Sequence, residues 1–145
     1  RPGPRCYCGR HGCVETFLSG PGLAADYVNN GGDPAATAQD VIALARCGDT
    51  CARAAFELYL DRLGRSLANI VNIVDPAVIV LGGGLSNATE LYDMLPDRMD
   101  PHVFSDQVAT RIHPPRHGDD SGVRGAARLW SPEETAAALK AGSGE

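Results

Sequence analysis

Three thiols fall within eight positions near the start of the chain, in the run Cys6-Tyr7-Cys8-Gly9-Arg10-His11-Gly12-Cys13-Val14-Glu15. Thiolates this close suit one soft-liking ion such as Zn²⁺, and Gly9 and Gly12 supply the backbone freedom a tight knuckle needs. A closed tetrahedral site takes four ligands. Cys6, Cys8 and Cys13 give three; the fourth is open among His11, Cys47, Cys51 and a residue outside these 145. His11 lies inside the Cys8–Cys13 loop, where reaching the same ion would strain the turn. Free or disulfide-linked thiols are the competing reading, but short adjacent loops favour chelation over bridging. Glu15 follows at the start of an apolar stretch. It is either a ligand-binding acid aimed by the knuckle or an acid stabilising a helix N-terminus, worth about 0.3–1 kcal/mol.

A second constellation lies mid-chain. Ala77-Val78-Ile79-Val80-Leu81 is a β-branched run that reads as a strand buried on both faces, and Gly82-Gly83-Gly84 follows it directly. A buried strand ending in glycines before a helix start is the ligand edge of an α/β sheet, where a flat ring or phosphate can approach the backbone. The bland alternative is a tight turn. A third cluster, His117-Gly118-Asp119-Asp120-Ser121, invites a catalytic reading. Nearness in sequence does not build a triad, and Asp or Ser ahead of an apolar helix reads as a cap.

The knuckle Cys6-x-Cys8-Gly9-x-x-Gly12-Cys13-x-Glu15 resembles the zinc-and-sugar signature of the ROK family of sugar kinases and sugar-responsive repressors. Ser19-Gly20, the stretch Asp75 to Gly84 and the stretch His117 to Ala127 match in the same order. The similarity covers roughly residues 4 to 130 and is nearest to bacterial fructokinases, on Glu15-Thr16-Phe17-Leu18-Ser19-Gly20 and Gly122-Val123-Arg124-Gly125-Ala126-Ala127. The resemblance implies the carboxy-terminal lobe of an actin/hexokinase-like (ribonuclease H-like) α/β ATPase fold, with an incomplete sheet. It implies a parent sugar kinase in which Cys6, Cys8 and Cys13 hold a structural Zn²⁺. Glu15 would contact the sugar, fructose being favoured, and Gly82, Gly83 and Gly84 would face the adenosine of ATP, with Mg²⁺ on the phosphates. The family's phosphate loop, catalytic Asp and fourth zinc ligand, a His upstream of the first Cys, have no counterpart in these residues. No catalytic residue is therefore expected here, and the chain alone is expected to be inactive. A homodimer is expected by the same resemblance. The competing classes are a sugar-binding effector domain of a repressor and a zinc-stabilised interaction module.

The elements that must position these groups follow from pattern. Pro and Gly in residues 1–5 read as loop, and a start in a loop, without Met, reads as a fragment of a longer protein. A helix is expected from Glu15, broken at Ser19–Gly22 and resumed at Pro21, with Phe17, Leu18, Leu23, Ala24 and Val28 facing inward. Asp33-Pro34, or alternatively Thr37 with Asp40, caps a short peripheral helix ending near Cys47-Gly48. Asp49 or Thr50 caps the longest helix, about Cys51 to Ile73. Its inward stripe is Ala55, Leu58, Tyr59, Arg62, Leu63, Ser66, Leu67, Ile70 and Val71, and Gly64 marks a close approach. Another helix runs to about Leu95, with helix end and loop over Pro96–Ser105. Val108–His113 alternates as an exposed or edge strand, and a small-residue helix spans Gly122 to about Trp130. The organisation is one kinase-type unit over residues 1–130 and a tail over 131–145.

Composition bounds the rest. The chain has 145 residues, 43% of them apolar and 21% charged, enough for one buried core. A net charge of −5 argues against nucleic acid as partner. No apolar run reaches the ~18 residues of a membrane span and no signal peptide is recognisable. Five cysteines, an odd count, fit thiols in a reducing cytoplasm better than a disulfide framework.

Overall fold

The computed structural model describes residues 3–105, 107–129, 131, 133 and 134. Helices dominate it. After a 3₁₀ turn over Val14–Thr16 come α1 (Gly20–Asn29), α2 (Ala38–Arg46) and α3 (Thr50–Val74), then β1 (Val78–Val80). A 3₁₀ turn at Gly84–Asn87 leads to α4 (Glu90–Met99), followed by β2 (Arg111–His113) and α5 (Ser121–Ala127). The expected helix at Glu15 is thus only the 3₁₀ turn. The expected tail over 131–145 lies outside the described residues, apart from Ser131, Glu133 and Glu134.

Capping fixes the helix starts. Ser19 accepts a hydrogen bond from the Gly22 N–H, with Pro21 in the first turn of α1. Of the two caps considered for α2, Thr37 is used: its Oγ1 accepts from the Asp40 N–H while Asp40 reaches back to the Thr37 N–H at 2.8 Å. Asp33 instead turns its own loop, accepting from the Ala35 N–H. Asp49 caps α3 through the Ala52 N–H. At its far end Asp75 adopts φ +47°, a left-handed residue that stops α3 before Pro76.

α3 packs on α1, α2 and α4, and the core lies along it. Leu23, Val41, Leu60, Leu91, Leu95 and Met99 are the largest fully buried side chains. The observed inward face of α3 carries Ala52, Ala55, Phe56, Tyr59, Leu60, Gly64, Leu67, Ala68 and Val71. Leu58 and Ile70 of the expected stripe are exposed instead. In α1 the inward residue is Tyr27, not Val28, because Leu23 and Tyr27 stand one turn apart on the face that meets α3. α2 is not peripheral: Val41 has no exposure. α4 runs through Pro96 to Met99; the ring gives up one N–H donor, yet burial of Leu95 and Met99 holds the turn.

β1 and β2 form a parallel two-stranded sheet, with Val78 opposite Arg111, Ile79 opposite Ile112 and Val80 opposite His113. α4 lies between them in sequence and contacts β2, the order of a strand–helix–strand crossover. Ile79, Leu81 and Ile112 pack against the core. β1 is not buried on both faces: Val78 and Val80 are 40% and 58% exposed. The described residues place a layer against one face only, which is what an alternating burial pattern reports.

Candidate functional site

The knuckle is built by backbone hydrogen bonds that fold residues 4–12 on themselves. The Cys6 N–H donates to the Arg10 carbonyl at 2.8 Å, the Gly9 N–H to Cys6 at 3.0 Å and the Gly12 N–H to Pro4 at 2.9 Å. An isolated antiparallel bridge joins Arg5 to His11. Gly9 and Gly12 take φ +84° and +70°, the left-handed region where a side chain would be strained. The result brings the Cys6, Cys8 and Cys13 sulfurs within 4.8 Å of one another. Cys8 Sγ and Cys13 Sγ are 3.6 Å apart. A tetrahedron with metal–sulfur bonds of ~2.3 Å has edges of about 3.8 Å, so the donor set fits Zn²⁺. Among the described residues, neither His11, Cys47, Cys51 nor any acid joins this group.

The electrostatics suit a cation. The Cys8 thiol is shifted down, first by a backbone hydrogen bond at Arg10 and then by the Cys6 and Cys13 thiols. Cys13 is pushed up to about 11, chiefly by its hydrogen bonds with Cys8 and Cys6. Neighbouring thiols resist a second ionisation, and a shared cation removes that penalty.

Glu15 sits in the 3₁₀ turn directly after Cys13, on the surface. The turn is tied down at its backbone: the Thr16 N–H and Oγ1 both donate to the Cys13 carbonyl, and Ser19 Oγ donates to the Glu15 carbonyl at 2.7 Å. The Glu15 carboxylate has no partner among the described residues.

The glycine run lies at the end of β1. Gly82 and Gly83 have open space where a Cβ would project, and Gly83 takes φ +86°. Gly84 borders an open groove of about 440 Å³ whose other walls include Gly20, Pro21, Thr37, Gln39 and Leu85. A Cβ on Gly84 would come 3.4 Å from Gln39 Nε2. No residue spacing indicates that the starts of α1 and α2 wall this groove. Glu15 does not line it, so the knuckle with its acid and the glycine run are separate features of the described surface.

The loop before α5 holds no side-chain cap from Asp120. Ser121 Oγ donates to the Gly118 carbonyl at 2.8 Å, closing the turn locally. The cap expected from an acid ahead of this helix is thus not formed by Asp120; a hydroxyl-to-carbonyl bond within the turn takes its place.

The ROK family profile matches residues 1–133. The N-acetyl-D-glucosamine kinase of Shigella flexneri serotype 5b is 48% identical over 125 residues, 86% of this chain and 41% of that protein. The chain thus spans about two fifths of the length of the curated relatives it matches. Among solved structures, a ROK family glucokinase from Streptomyces griseus in complex with glucose and AMPPNP superposes with a TM-score of 0.78. It is 24% identical, with 88% of this chain and 47% of that one covered. A ROK hexokinase from Thermus thermophilus gives 0.72 at 30% identity, over 86% and 42%. The expected α/β fold of the actin/hexokinase-like ATPases is the fold these matches show, with a two-stranded sheet among the described residues.

Proposed function

The chain belongs to the ROK family, and from that premise we propose that it is the carboxy-terminal part of an ATP-dependent sugar kinase. One observation carries the proposal. Three sulfurs are gathered directly ahead of a surface acid that has no partner among the described residues, in a chain 48% identical to a protein named N-acetyl-D-glucosamine kinase.

The reaction joins a hexose hydroxyl oxygen to the γ-phosphorus of ATP and breaks the bond to the ADP oxygen; the hydroxyl proton passes to a carboxylate. Such a step needs alignment and charge neutralisation more than covalent help. None of the described residues is assigned as the proton acceptor. Zn²⁺ held by Cys6, Cys8 and Cys13 would act as a structural crosslink. Locking the loop keeps the Glu15 carboxylate in place, where it accepts hydrogen bonds from sugar hydroxyls. Gly82, Gly83 and Gly84 receive the nucleotide along the groove at the start of α2. The motif resemblance points to fructose, whereas the relatives point to N-acetyl-D-glucosamine; we place the amino sugar first. Homodimerisation and a cytoplasmic location belong to the same proposal. No helix among the described residues is long and apolar enough to cross a membrane.

Calorimetric titration of the full-length parent with ATP, N-acetyl-D-glucosamine and fructose tests the reading. A kinase binds nucleotide and one sugar, a sugar-responsive repressor binds sugar alone, and a scaffold binds neither. Glu15→Gln is expected to weaken sugar binding at least about tenfold, the scale of one charge-assisted hydrogen bond. Because the acid is exposed and has no partner among the described residues, the same change should alter stability by less than about 0.5 kcal/mol. Unchanged sugar affinity in that variant removes Glu15 from the site.

A further inference from the structure

Arg62 stands on the face of α3 that the sequence pattern marks as apolar. A guanidinium there needs a reason. Its Nη1 donates to Asp26 Oδ2 of α1 at 2.5 Å, with the two side chains 25% and 16% exposed. Its Cζ lies 4.7 Å from the centre of the Phe17 ring. Phe17 in turn leans on the knuckle: a Cβ at Gly3 would meet Phe17 Cζ at 3.2 Å and Gly12 Cα at 2.5 Å. From the other side, α1 presses on the same segment, since a Cβ at Gly22 would come 2.9 Å from the Thr16 carbonyl oxygen. The contacts form one line, from Asp26 through Arg62 and Phe17 to Gly3 and Gly12. Glu15 is two residues from its middle. Beside it a groove of about 240 Å³, edged by Val14, Leu18, Arg65 and Ser66, gives the ring somewhere to move if the cation is lost.

We infer that Arg62 is a positioning residue that couples the thiol knuckle to the helical core through Phe17, and so sets where the Glu15 carboxylate stands. A cation held over a ring face by an ion pair fixes both the depth and the tilt of the ring, which an aliphatic contact does not. The rival account is that Arg62 only staples α1 to α3 through Asp26. That account predicts a general loss of stability with no preference for the knuckle.

Amide hydrogen exchange on the metal-free chain separates the two. The Thr16, Phe17 and Leu18 N–H groups bond to the Cys13 and Val14 carbonyls at 2.8–2.9 Å and report on this segment. Arg62→Met should speed their exchange about tenfold, the scale of a partly desolvated cation–π contact, with α2 amides unchanged. Arg62→Lys should restore part of the protection. Arg65→Met should leave it intact, because Arg65 edges the same groove but pairs with Asp61, whereas the guanidinium over the Phe17 ring is that of Arg62. Phe17→Leu removes the ring while sparing the Asp26 pair, so it serves if Arg62→Met does not fold, and the same local loss is expected. A Co²⁺ titration followed by thiolate absorption should show about tenfold weaker binding in Arg62→Met than in Arg65→Met. Equal exchange at residues 16–18 in Arg62→Met and wild type, or equal acceleration in α2, overturns the coupling. The sugar arm rests on the function proposed above: in the full-length protein Arg62→Met should raise the sugar KM about tenfold with kcat within about twofold. If the local exchange effect appears but Glu15→Gln leaves sugar affinity untouched, the coupling stands and the sugar reading falls.

Discussion

At the residue scale, what matters is how little room certain side chains leave. Gly64 is the clearest case. Glycine inside a helix costs ~1 kcal/mol relative to alanine, so replacing it would ordinarily stabilise α3. Here a Cβ would lie 2.7 Å from the Arg98 carbonyl oxygen of α4. Backbone cannot step aside as a flexible side chain can. Gly64→Ala should therefore destabilise by about 1–3 kcal/mol despite its better propensity, read from urea denaturation. The Gly in the apolar stripe already announced a close approach; only the structure names α4 as the partner. Arg62 was legible in the same way and read less well. A charge in an inward stripe implies a buried partner, but no spacing rule pairs it with Asp26, 36 residues away.

Glu90 shows a charge whose worth depends on pH. Its carboxyl is held down to about 2, first by hydrogen bonds from Arg46, one of them from Nη2 at 2.9 Å. A carboxyl lowered from 4.5 by folding contributes stability that is fully present above pH 4.5 and is lost as pH falls toward 2. The shift cannot be converted at face value, because the side chains are 54% and 28% exposed and water screens the pair. About 0.2–1 kcal/mol is the expected size. Glu90→Gln should lower stability by that amount at pH 7, and the gap to wild type should shrink as pH falls from 4.5 toward about 2. A gap independent of pH would mean that the amide fails for reasons of shape, not charge.

At the element scale, starts and stops were the most legible features. Thr37 and Asp49 are short polar residues that the pattern marks as caps, and each accepts a hydrogen bond from the first turn; Ser19, placed by the pattern in a helix break, caps α1 in the same way. Thr37→Ala removes the acceptor for the Asp40 N–H and leaves Asp40 capping alone. It should cost about 1 kcal/mol, seen as a lower melting temperature, and Thr37→Ser should recover most of it. Faces were harder. Among the described residues a 25-residue helix packs on three other α-helices, so its buried set wraps around the axis instead of following one stripe. That is why Ala52, Phe56, Leu60 and Ala68 were missed while Ala55, Tyr59, Leu67 and Val71 were found. The β-branched run at β1 gave the strand but misjudged its surroundings. Its composition reports two buried faces, and one layer covers it among the described residues. Pro96 is held within the end of α4, since a missing N–H there is cheaper than exposing Leu95 and Met99.

At the scale of the whole molecule, the knuckle and the core are nearly separate. Cys6 is the one knuckle residue in the buried apolar set among the described residues, and the continuous core runs through α1 to α4. Among the described residues, the local hydrogen bonds of residues 4–12 close small loops, and the Phe17 contact ties them to the rest. Removing the Zn²⁺ proposed for the knuckle should then loosen one region and spare the other. With a strong chelator, exchange protection at the Cys6, Gly9 and Gly12 amides should fall while that of α3 persists, and the helical circular-dichroism signal should stay nearly constant. The local change reflects lost ligand binding free energy at the knuckle, which reaches the core only through the few contacts that join them. A domain whose helices melt together with the knuckle on chelation would show that the ion supports the entire fold, and the picture of an acid positioned on an independently stable helical base would have to be given up.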